Sequence, residues 1–208
     1  MQEDKQNFNH LKVHTQYSIC EGAVKIDDLR SLCKEKKIKS IGLSDTNNLC
    51  GALEFSEEIS KSGTQPIVGT QINFKFNDEI GIIPLIAKNQ QGYEAILELS
   101  SNSYLSNNNS LIPYCDFKKL INKNQGIIIL SGSLNSLSGN LFKKNKLEDL
   151  NNFYLELSKI FKNDFYIEIQ RHNDEREKEF EKINLNLSHD LKIPIIATHE
   201  VYYLDQSM

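Results

Sequence analysis

The stretch HLKVHTQYSICEGA (residues 10–23) joins a short alternating apolar segment to two histidines, several hydroxyl groups, a carboxylate and a glycine. Polar side chains that follow a β-strand in this way are typical of a metal site at the end of a strand. Lys12, however, stands between His10 and His14, where a metal-binding strand would place another histidine. An ammonium group has no lone pair to give to a metal, so the stretch predicts a strand but raises the question of what its end binds.

The composition is that of an ordinary globular protein. The chain has 208 residues, of which 39% are hydrophobic and 25% are charged. This length suits one large domain or two small ones. Its apolar runs all fall short of the ~20 residues that span a bilayer, and the first residues, MQEDKQNF, do not resemble a signal or transit peptide. The sequence therefore predicts a cytoplasmic protein with no membrane partner.

Charge and cysteine content exclude two classes of function. The net charge is −4, whereas a domain that clamps nucleic acid by itself needs a basic face. The four cysteines are scattered without CxxC pairs, which argues against a zinc knuckle or a disulfide framework and predicts reduced, mostly structural thiols. They are Cys20, Cys33, Cys50 and Cys115.

Short apolar runs predict seven strands. Their continuous Ile, Val and Leu content is typical of strands that are covered on both faces, as in a parallel sheet. The runs are residues 8–15, 40–45, 65–74, 82–88, 126–132, 164–169 and 194–200.

Amphipathic segments between these runs predict helices. The clearest are residues 26–38, 147–161 and 180–191, and another begins near Asn48 and ends at Gly63. The polar connection 101–113 is predicted to be an exposed loop. The alternation indicates one α/β domain, and a closed barrel is favoured over an open doubly wound sheet, although periodicity does not separate the two.

Polar residues collect where the predicted strands end. In parallel α/β folds the carboxyl ends of the strands form one face, so these side chains are expected to converge there. Each of them taken alone is more often structural: Asp45 and Asn47, for example, fit a turn or a helix N-cap. Walker, GxGxxG and GxSxG motifs are absent from the sequence. The candidates are His10, His14, Glu21, Asp45, Thr46, Asn47, Gln71, Ser131, Ser133, His172, His199 and Glu200.

Six ordered motifs give this chain a resemblance to a known family. They are HLKVHTQYSICEGA, LSDTNNLCGALEF, QPIVGTQ, LSGS, FYIEIQRH and ATHEVYY. Over nearly its whole length the chain resembles the N-terminal PHP (polymerase and histidinol phosphatase) domain of the bacterial DNA polymerase III alpha subunit. The resemblance implies a distorted (β/α)7 TIM-like barrel, with residues 1–208 forming one PHP domain of a longer polymerase chain.

The resemblance also implies that the metal site is degenerate, as in the proteobacterial branch of the family. Metal-binding members hold two or three divalent ions that activate water for phosphoester hydrolysis. Here His10 and His172 match family ligands, and Glu21 and Glu200 replace aspartates, so these four are the possible residual ligands. The other five positions differ: Lys12, Thr46 and Tyr202 replace histidines, Gln71 replaces a glutamate and Ser133 a cysteine. We therefore expect no cofactor and no catalytic residue, and Lys12 is expected to stand in for the cation, balancing Glu21 and Glu200.

The function implied by the resemblance is a catalytically silent scaffold within a DNA-directed DNA polymerase, a nucleotidyltransferase. Such a domain supports the rest of the polymerase alpha chain, contacts DNA only through that chain and docks the proofreading exonuclease subunit. The alternative is an active metal-dependent PHP phosphoesterase or 3′–5′ exonuclease. For the docking surface, the sequence points to the 101–115 region, with Tyr104, Leu111 and Tyr114 as anchors.

Overall fold

The computed structural model describes residues 8–106 and 111–205. None of the helices in these ranges is long and apolar enough to cross a membrane. The strands are β1 Lys12–Val13, β2 Ser40–Thr46, β3 Gln65–Phe76, β4 Glu79–Ala87, β5 Cys115–Asp116, β6 Ile127–Leu130, β7 Phe165–Ile169, β8 Ile195–Ala197 and β9 Glu200–Val201. The helices are α1 Ile26–Lys36, α2 Ala52–Lys61, α3 Gln90–Leu105, α4 Phe117–Asn122, α5 Leu137–Lys143, α6 Leu147–Phe161 and α7 Glu177–Leu191, with a 3-10 turn at Lys162–Asp164.

The strands form one sheet in the order β8-β7-β6-β4-β3-β2-β1-β9, and β5 pairs with β3 outside this row. The pairing is parallel, as predicted, except that β4 is antiparallel to both β3 and β6. Only Asn77 and Asp78 connect β3 to β4, and a connection this short permits only an antiparallel hairpin. Asn77 has the positive φ, 52°, that such a turn requires.

The last strand segment closes the sheet into a distorted barrel. β8 and β9 lie at opposite ends of the strand row, yet only Thr198 and His199 separate them in the chain. The amide of Thr198 donates to the carbonyl of Ile169 in β7, and the amide of His14 donates to the carbonyl of Val201 in β9. The predicted strand 194–200 is therefore two short strands, which pair first with β7 and then with β1. The predicted α/β TIM-like barrel is confirmed.

Two apolar clusters surround the sheet. The smaller one packs α1 and α2 against β1 and β2 and contains Val13, Leu29 and Phe55. The larger one packs α3 to α7 against β3, β4, β5, β6 and β7, with Phe74 and Phe153 fully buried. Helix α6 has the predicted bounds, and its buried apolar residues, spaced at three- and four-residue steps, face this cluster.

The prediction of an exposed loop at 101–113 is wrong for its first part. Residues 101–105 belong to α3, whose N-cap Asn89 accepts a hydrogen bond from the amide of Gly92. The buried serines Ser100, just before this segment, and Ser103, within it, satisfy their own hydroxyls. Ser100 donates to the carbonyl of Asn47, and Ser103 donates to the carbonyl of Ser100. Residues 107–110 lie outside the described ranges.

Candidate functional site

Lys12 lies inside the barrel, where it bridges two glutamates from other strands. Alternation along β1 directs Val13 outward against α1 and Lys12 inward, and Lys12 is only 2% exposed. Its Nζ is 2.9 Å from Glu168 Oε1 in β7 and 2.5 Å from Glu200 Oε1 in β9. One ammonium group therefore connects the three strands that meet where the barrel closes.

Both partners of the shorter contact are held in their charged forms. Burial lowers the pKa of Lys12, but the carboxylates of Glu168 and Glu200 outweigh it and leave the pKa raised. Burial raises the pKa of Glu200, but hydrogen bonds and charge from His14 and Lys12 outweigh it and lower the pKa to about 2. The pair is therefore an ion pair at neutral pH.

His14 is a further partner of Glu200. Its Nε2 lies 2.7 Å from Glu200 Oε2, and its Nδ1 lies 3.3 Å from Ser18 Oγ. The Ser18 hydroxyl donates to Asp45 Oδ1 at 2.7 Å, so Ser18 Oγ accepts from Nδ1. Gln71 Nε2 also lies 3.2 Å from His14 Nε2. Lys12 and His14 thus both contact the carboxylate of Glu200.

Neutral side chains complete this interior network. Gln71 in β3 donates to Glu200 Oε2 at 3.0 Å. Gln170 donates to Glu168 Oε1 at 2.6 Å and to Thr198 Oγ1 at 2.9 Å, and Thr198 itself donates to Glu168 Oε1. Glu168 Oε2 is buried and has no hydrogen-bond partner in the described part of the chain. We call Lys12, His14, Gln71, Glu168, Gln170, Thr198 and Glu200 the interior network.

Most of the predicted site residues line one cavity of about 650 Å³. Glu21 and Thr46 do not line it: the hydroxyl of Thr46 donates to Glu21 Oε2 at 2.5 Å, on the exposed side of the strand ends. The other seven of the nine predicted positions do: His10, Lys12, Gln71, Ser133, His172, Glu200 and Tyr202.

The predicted partners of Lys12 were therefore half right. The pairing with Glu200 is confirmed, whereas the pairing with Glu21 is wrong, because Glu21 bonds to Thr46. Sequence reasoning missed Glu168, which is the second carboxylate that pairs with Lys12. The signal was available: Glu168 is the only charged residue in the apolar strand FYIEI, and a charge buried in a strand needs a partner.

Three histidines surround the entrance of the cavity. The rings of His172 and His199 meet edge to face, with centroids 4.3 Å apart. Burial and the neighbouring His199 lower the pKa of His10, which favours the neutral imidazole. Nδ1 of His10 is buried without a hydrogen-bond partner among residues 8–106 and 111–205, and Nε2 of His172 lies 3.0 Å from Gln170 Oε1.

The residues present do not fit the metal cluster that the family resemblance implies. The ammonium of Lys12 lies between the two interior carboxylates that would otherwise be available to an ion, and Gln71 offers Glu200 a donor. The ring of Tyr202 stacks on His14 at 4.4 Å, where the family has a ligand. In the described ranges, no group of three or more His, Cys, Asp or Glu side chains is arranged to hold a metal ion. We therefore derive no chemical step through a metal.

A barrel of short, mostly parallel strands with polar side chains inside it and at its mouth is the architecture of a known family of proteins. The family model of the PHP domain matches residues 10–172, which is most of the chain. The chain belongs to the PHP family.

The curated relatives give a more particular match. The chain is 34% identical to DNA polymerase III subunit alpha of Caulobacter vibrioides and 31% identical to that of Haemophilus influenzae. Each alignment covers 95% of this chain, but only 18% and 17% of the respective relative. The chain is thus homologous to less than a fifth of these polymerase subunits.

Solved structures confirm the fold. A protein from Bifidobacterium adolescentis named as a metal-dependent phosphoesterase superposes with a TM-score of 0.65 at 12% identity, covering 94% of this chain and 87% of that one. An amidohydrolase from Chromobacterium violaceum superposes with a TM-score of 0.58 at 7% identity, covering 93% and 87%. At these identities the likeness concerns the fold alone.

Proposed function

We propose that this chain is the PHP domain of a DNA polymerase III alpha subunit and acts there as a catalytically silent scaffold. The relatives compared above are alpha subunits of this polymerase, and the chain matches less than a fifth of each. In this function the barrel supports the polymerase and docks its proofreading exonuclease subunit.

The position of Lys12 is the observation that carries the proposal. A cation beside a metal cluster is repelled by about 4 kcal/mol per unit charge at 4 Å and an effective dielectric of 20. The interior network instead pairs the ammonium of Lys12 with the carboxylates of Glu168 and Glu200. The replacement of a histidine by Lys12 then accounts both for the loss of the metal and for the balance of charge inside the barrel.

The alternative is an active metal-dependent phosphoesterase or 3′–5′ exonuclease. It is favoured by one observation, the likeness of the fold to a protein named as a metal-dependent phosphoesterase. The residual candidates His10, Glu21, His172 and Glu200 would then have to hold the ions. Glu21 lies outside the cavity, and the carboxylate of Glu200 is already paired with Lys12. The geometry therefore supports the silent scaffold better than the active enzyme.

Elemental analysis of chain purified without chelator tests the two functions. We expect less than one tightly held zinc, manganese or iron ion per chain, and no hydrolysis of phosphomonoesters or single-stranded DNA when these metals are added. Two or more bound ions per chain, together with metal-dependent hydrolysis, would overturn the scaffold. Loss of that hydrolysis in a His172→Ala variant would exclude a contaminating enzyme.

Exonuclease docking is proposed for the exposed apolar residues near the end of α3. Tyr104 and Leu105 end that helix with exposed side chains, and Leu111 is fully exposed beyond the undescribed residues 107–110. Tyr114, the third predicted anchor, is only partly exposed. Exposed aromatic and aliphatic side chains with polar neighbours are typical anchors of protein interfaces.

Calorimetry with the purified exonuclease subunit tests this docking. We expect binding at micromolar concentration or tighter, weakened at least tenfold by Tyr104→Ala with Leu111→Ala. Leu147→Ala is the control, because Leu147 is an exposed apolar residue on α6. Absence of binding at tens of micromolar would show that the exonuclease docks elsewhere, and equal weakening by the control would reject this surface.

A further inference from the structure

Four outer helices end at the same end of the barrel. The strands β2, β3, β7 and β8 run in one direction, because β3 and β6 are both antiparallel to β4 and the remaining pairs are parallel. Three residues separate each of these strands from the helix before it, at 37–39, 62–64, 162–164 and 192–194. Helices α1, α2, α6 and α7 therefore all end where the strands of the barrel begin.

Four lysines in these connections are exposed and have no acidic partner. Lys37 and Lys39 precede β2, Lys162 precedes β7 and Lys192 precedes β8. None of them forms an ion pair with a residue in the ranges 8–106 and 111–205. Since β7 pairs with β8, and β9 pairs through β1 with β2, these lysines lie on the side where the barrel closes. We call the four lysines the basic rim.

Acidic residues gather at the other end of the same helices. The first turns of α1, α2, α6 and α7 contain Asp27, Asp28, Glu54, Glu148, Asp149, Glu177 and Glu179. Near the basic rim, Glu35 and Asp164 are already paired with other lysines, Lys36 and Lys88. The net charge of −4 thus conceals an unequal distribution of charge. A chain that is acidic overall can therefore present a basic surface at one end.

Three residues of the basic rim have a backbone conformation that favours glycine. The angle φ is 52° at Lys37, 50° at Lys162 and 55° at Lys192. Glycine is the usual residue at such a position after a helix, because a side chain at positive φ strains the backbone. The helix dipole favours a lysine near the helix end, but Lys36 in the last turn of α1 meets that preference without strain. Lysines at three strained positions indicate that their charges have a role outside the fold.

We infer that the basic rim contacts the phosphate backbone of duplex DNA. Exposed lysines without a partner neutralise phosphates and release bound counterions, which gives affinity that does not depend on sequence. An acidic protein is a poorer fit, because protein interfaces use exposed aromatic and aliphatic anchors. Among the described residues, none of the exposed large hydrophobic side chains lies in 37–39, 162–164 or 192–194.

The choice of DNA as the source of the phosphates rests on the proposed function. The inference goes beyond that function, because the domain was expected to contact DNA only through the rest of the polymerase chain. It assigns to the barrel a contact of its own, at the end opposite to the acidic first turns of its helices.

Fluorescence anisotropy of a labelled DNA duplex of about 20 base pairs tests the inference with the 208-residue chain. We expect a dissociation constant of about 100 μM or lower at about 20 mM salt, with weaker binding as the salt concentration rises. Lys37→Gln, Lys162→Gln and Lys192→Gln together should weaken binding at least tenfold. The slope of log affinity against log salt concentration should become shallower by about 0.9 for each lysine removed.

Three other lysines provide a control with the same change of net charge. Lys118, Lys178 and Lys182 are exposed on α4 and α7, before the last turns of these helices. Lys118→Gln, Lys178→Gln and Lys182→Gln together should leave the affinity within threefold of that of the unchanged chain. A similar loss in the control would show that only the net charge matters, and it would overturn the inference.

Glycine at the three strained positions separates DNA binding from stability. Lys37→Gly, Lys162→Gly and Lys192→Gly together should keep or raise the melting temperature measured by circular dichroism, because glycine relieves the strain at positive φ. The same variant should lose as much DNA affinity as the glutamine variant. A lysine with a purely structural role would not produce this loss of affinity in a folded variant.

The inference is overturned if the unchanged chain does not bind the duplex at low salt or if the glycine variant binds it normally. Binding of polyglutamate, but not of DNA, would also overturn it and would identify an acidic protein as the partner. The elemental analysis and the calorimetry with the exonuclease subunit do not measure DNA binding. Failure here would therefore not count against the silent scaffold, and failure of the scaffold would leave this result unchanged.

Discussion

The β3–β4 hairpin and the seam, where β7, β8, β9 and β1 meet, are held together in different ways. The hairpin strands share eight register pairs, and their side chains Ile72, Phe74 and Ile83 are fully buried in the apolar cluster. The seam has three register pairs between β7 and β8 and two between β9 and β1. Its buried side chains are those of the interior network, which contains the ion-paired Lys12, Glu168 and Glu200.

The difference shows where electrostatics replaces backbone pairing in this barrel. Short strands provide few backbone hydrogen bonds, so Lys12 links β1 to β7 and β9 by ion pairs. Removal of one member of a buried pair leaves an uncompensated charge, which costs more than the loss of the contact itself. The seam should therefore respond to charge and pH, and the hairpin to side-chain volume.

The largest effect is expected for Lys12→Met. The substitution leaves Glu168 buried without a cation, so the free energy of unfolding should fall by about 3–5 kcal/mol, as measured by urea denaturation. Lys146→Met is the matched control: Lys146 pairs with Glu79 at 2.9 Å at a partly exposed position, where solvent weakens the pair, so the loss should be several times smaller. Equal losses in the two variants would contradict a special role for the seam.

The second largest effect is expected from acid, which should lower the stability of the seam. Because the folded pKa of Glu200 is about 2, below the ordinary 4.5 of a glutamate carboxyl, the stabilisation is complete above pH 4.5 and is lost as the pH falls towards 2. The loss should reach at most about 3 kcal/mol at 1.36 kcal/mol per pKa unit. In Glu200→Gln the acid-dependent part of the unfolding free energy should shrink accordingly. An unchanged pH profile would show that Glu200 is not the titrating group.

The hairpin should respond to a small change of volume instead. Ile83→Val removes one methylene from a fully buried side chain and should lower the unfolding free energy by about 0.5–1.5 kcal/mol. Its acid dependence should match that of the unchanged chain. A change in acid dependence would show that the two regions are coupled. The stability of the hairpin and that of the seam would then not respond to different factors.

The smallest effect is expected at the pair that the sequence placed wrongly. Glu21→Gln keeps an acceptor for the hydroxyl of Thr46 at an exposed position, so it should change the unfolding free energy by less than about 1 kcal/mol. A loss as large as that of Lys12→Met, in the same denaturation assay, would restore the predicted pairing of Lys12 with Glu21.

The sequence by itself determined the class of fold and predicted that the site does not suit a metal cluster. Apolar runs of strand length and the helical spacing of α6 are local patterns, and the lack of a free lone pair on Lys12 is a property of its side chain. The order of the six motifs indicated the family, and the family model confirmed it. None of these inferences needed to know which strands are neighbours.

Only the tertiary structure decided which charges meet and which face stays open. Lys12 and Glu168 are 156 residues apart, and they meet because the segment 195–201 pairs with β7 and then with β1. Burial of Ser100 and Ser103 in α3 and exposure of Ile195 likewise depend on what packs against them. Hydrophobicity and charge are properties of each residue by itself. Burial and pairing also depend on the neighbours that the fold brings together from distant parts of the chain.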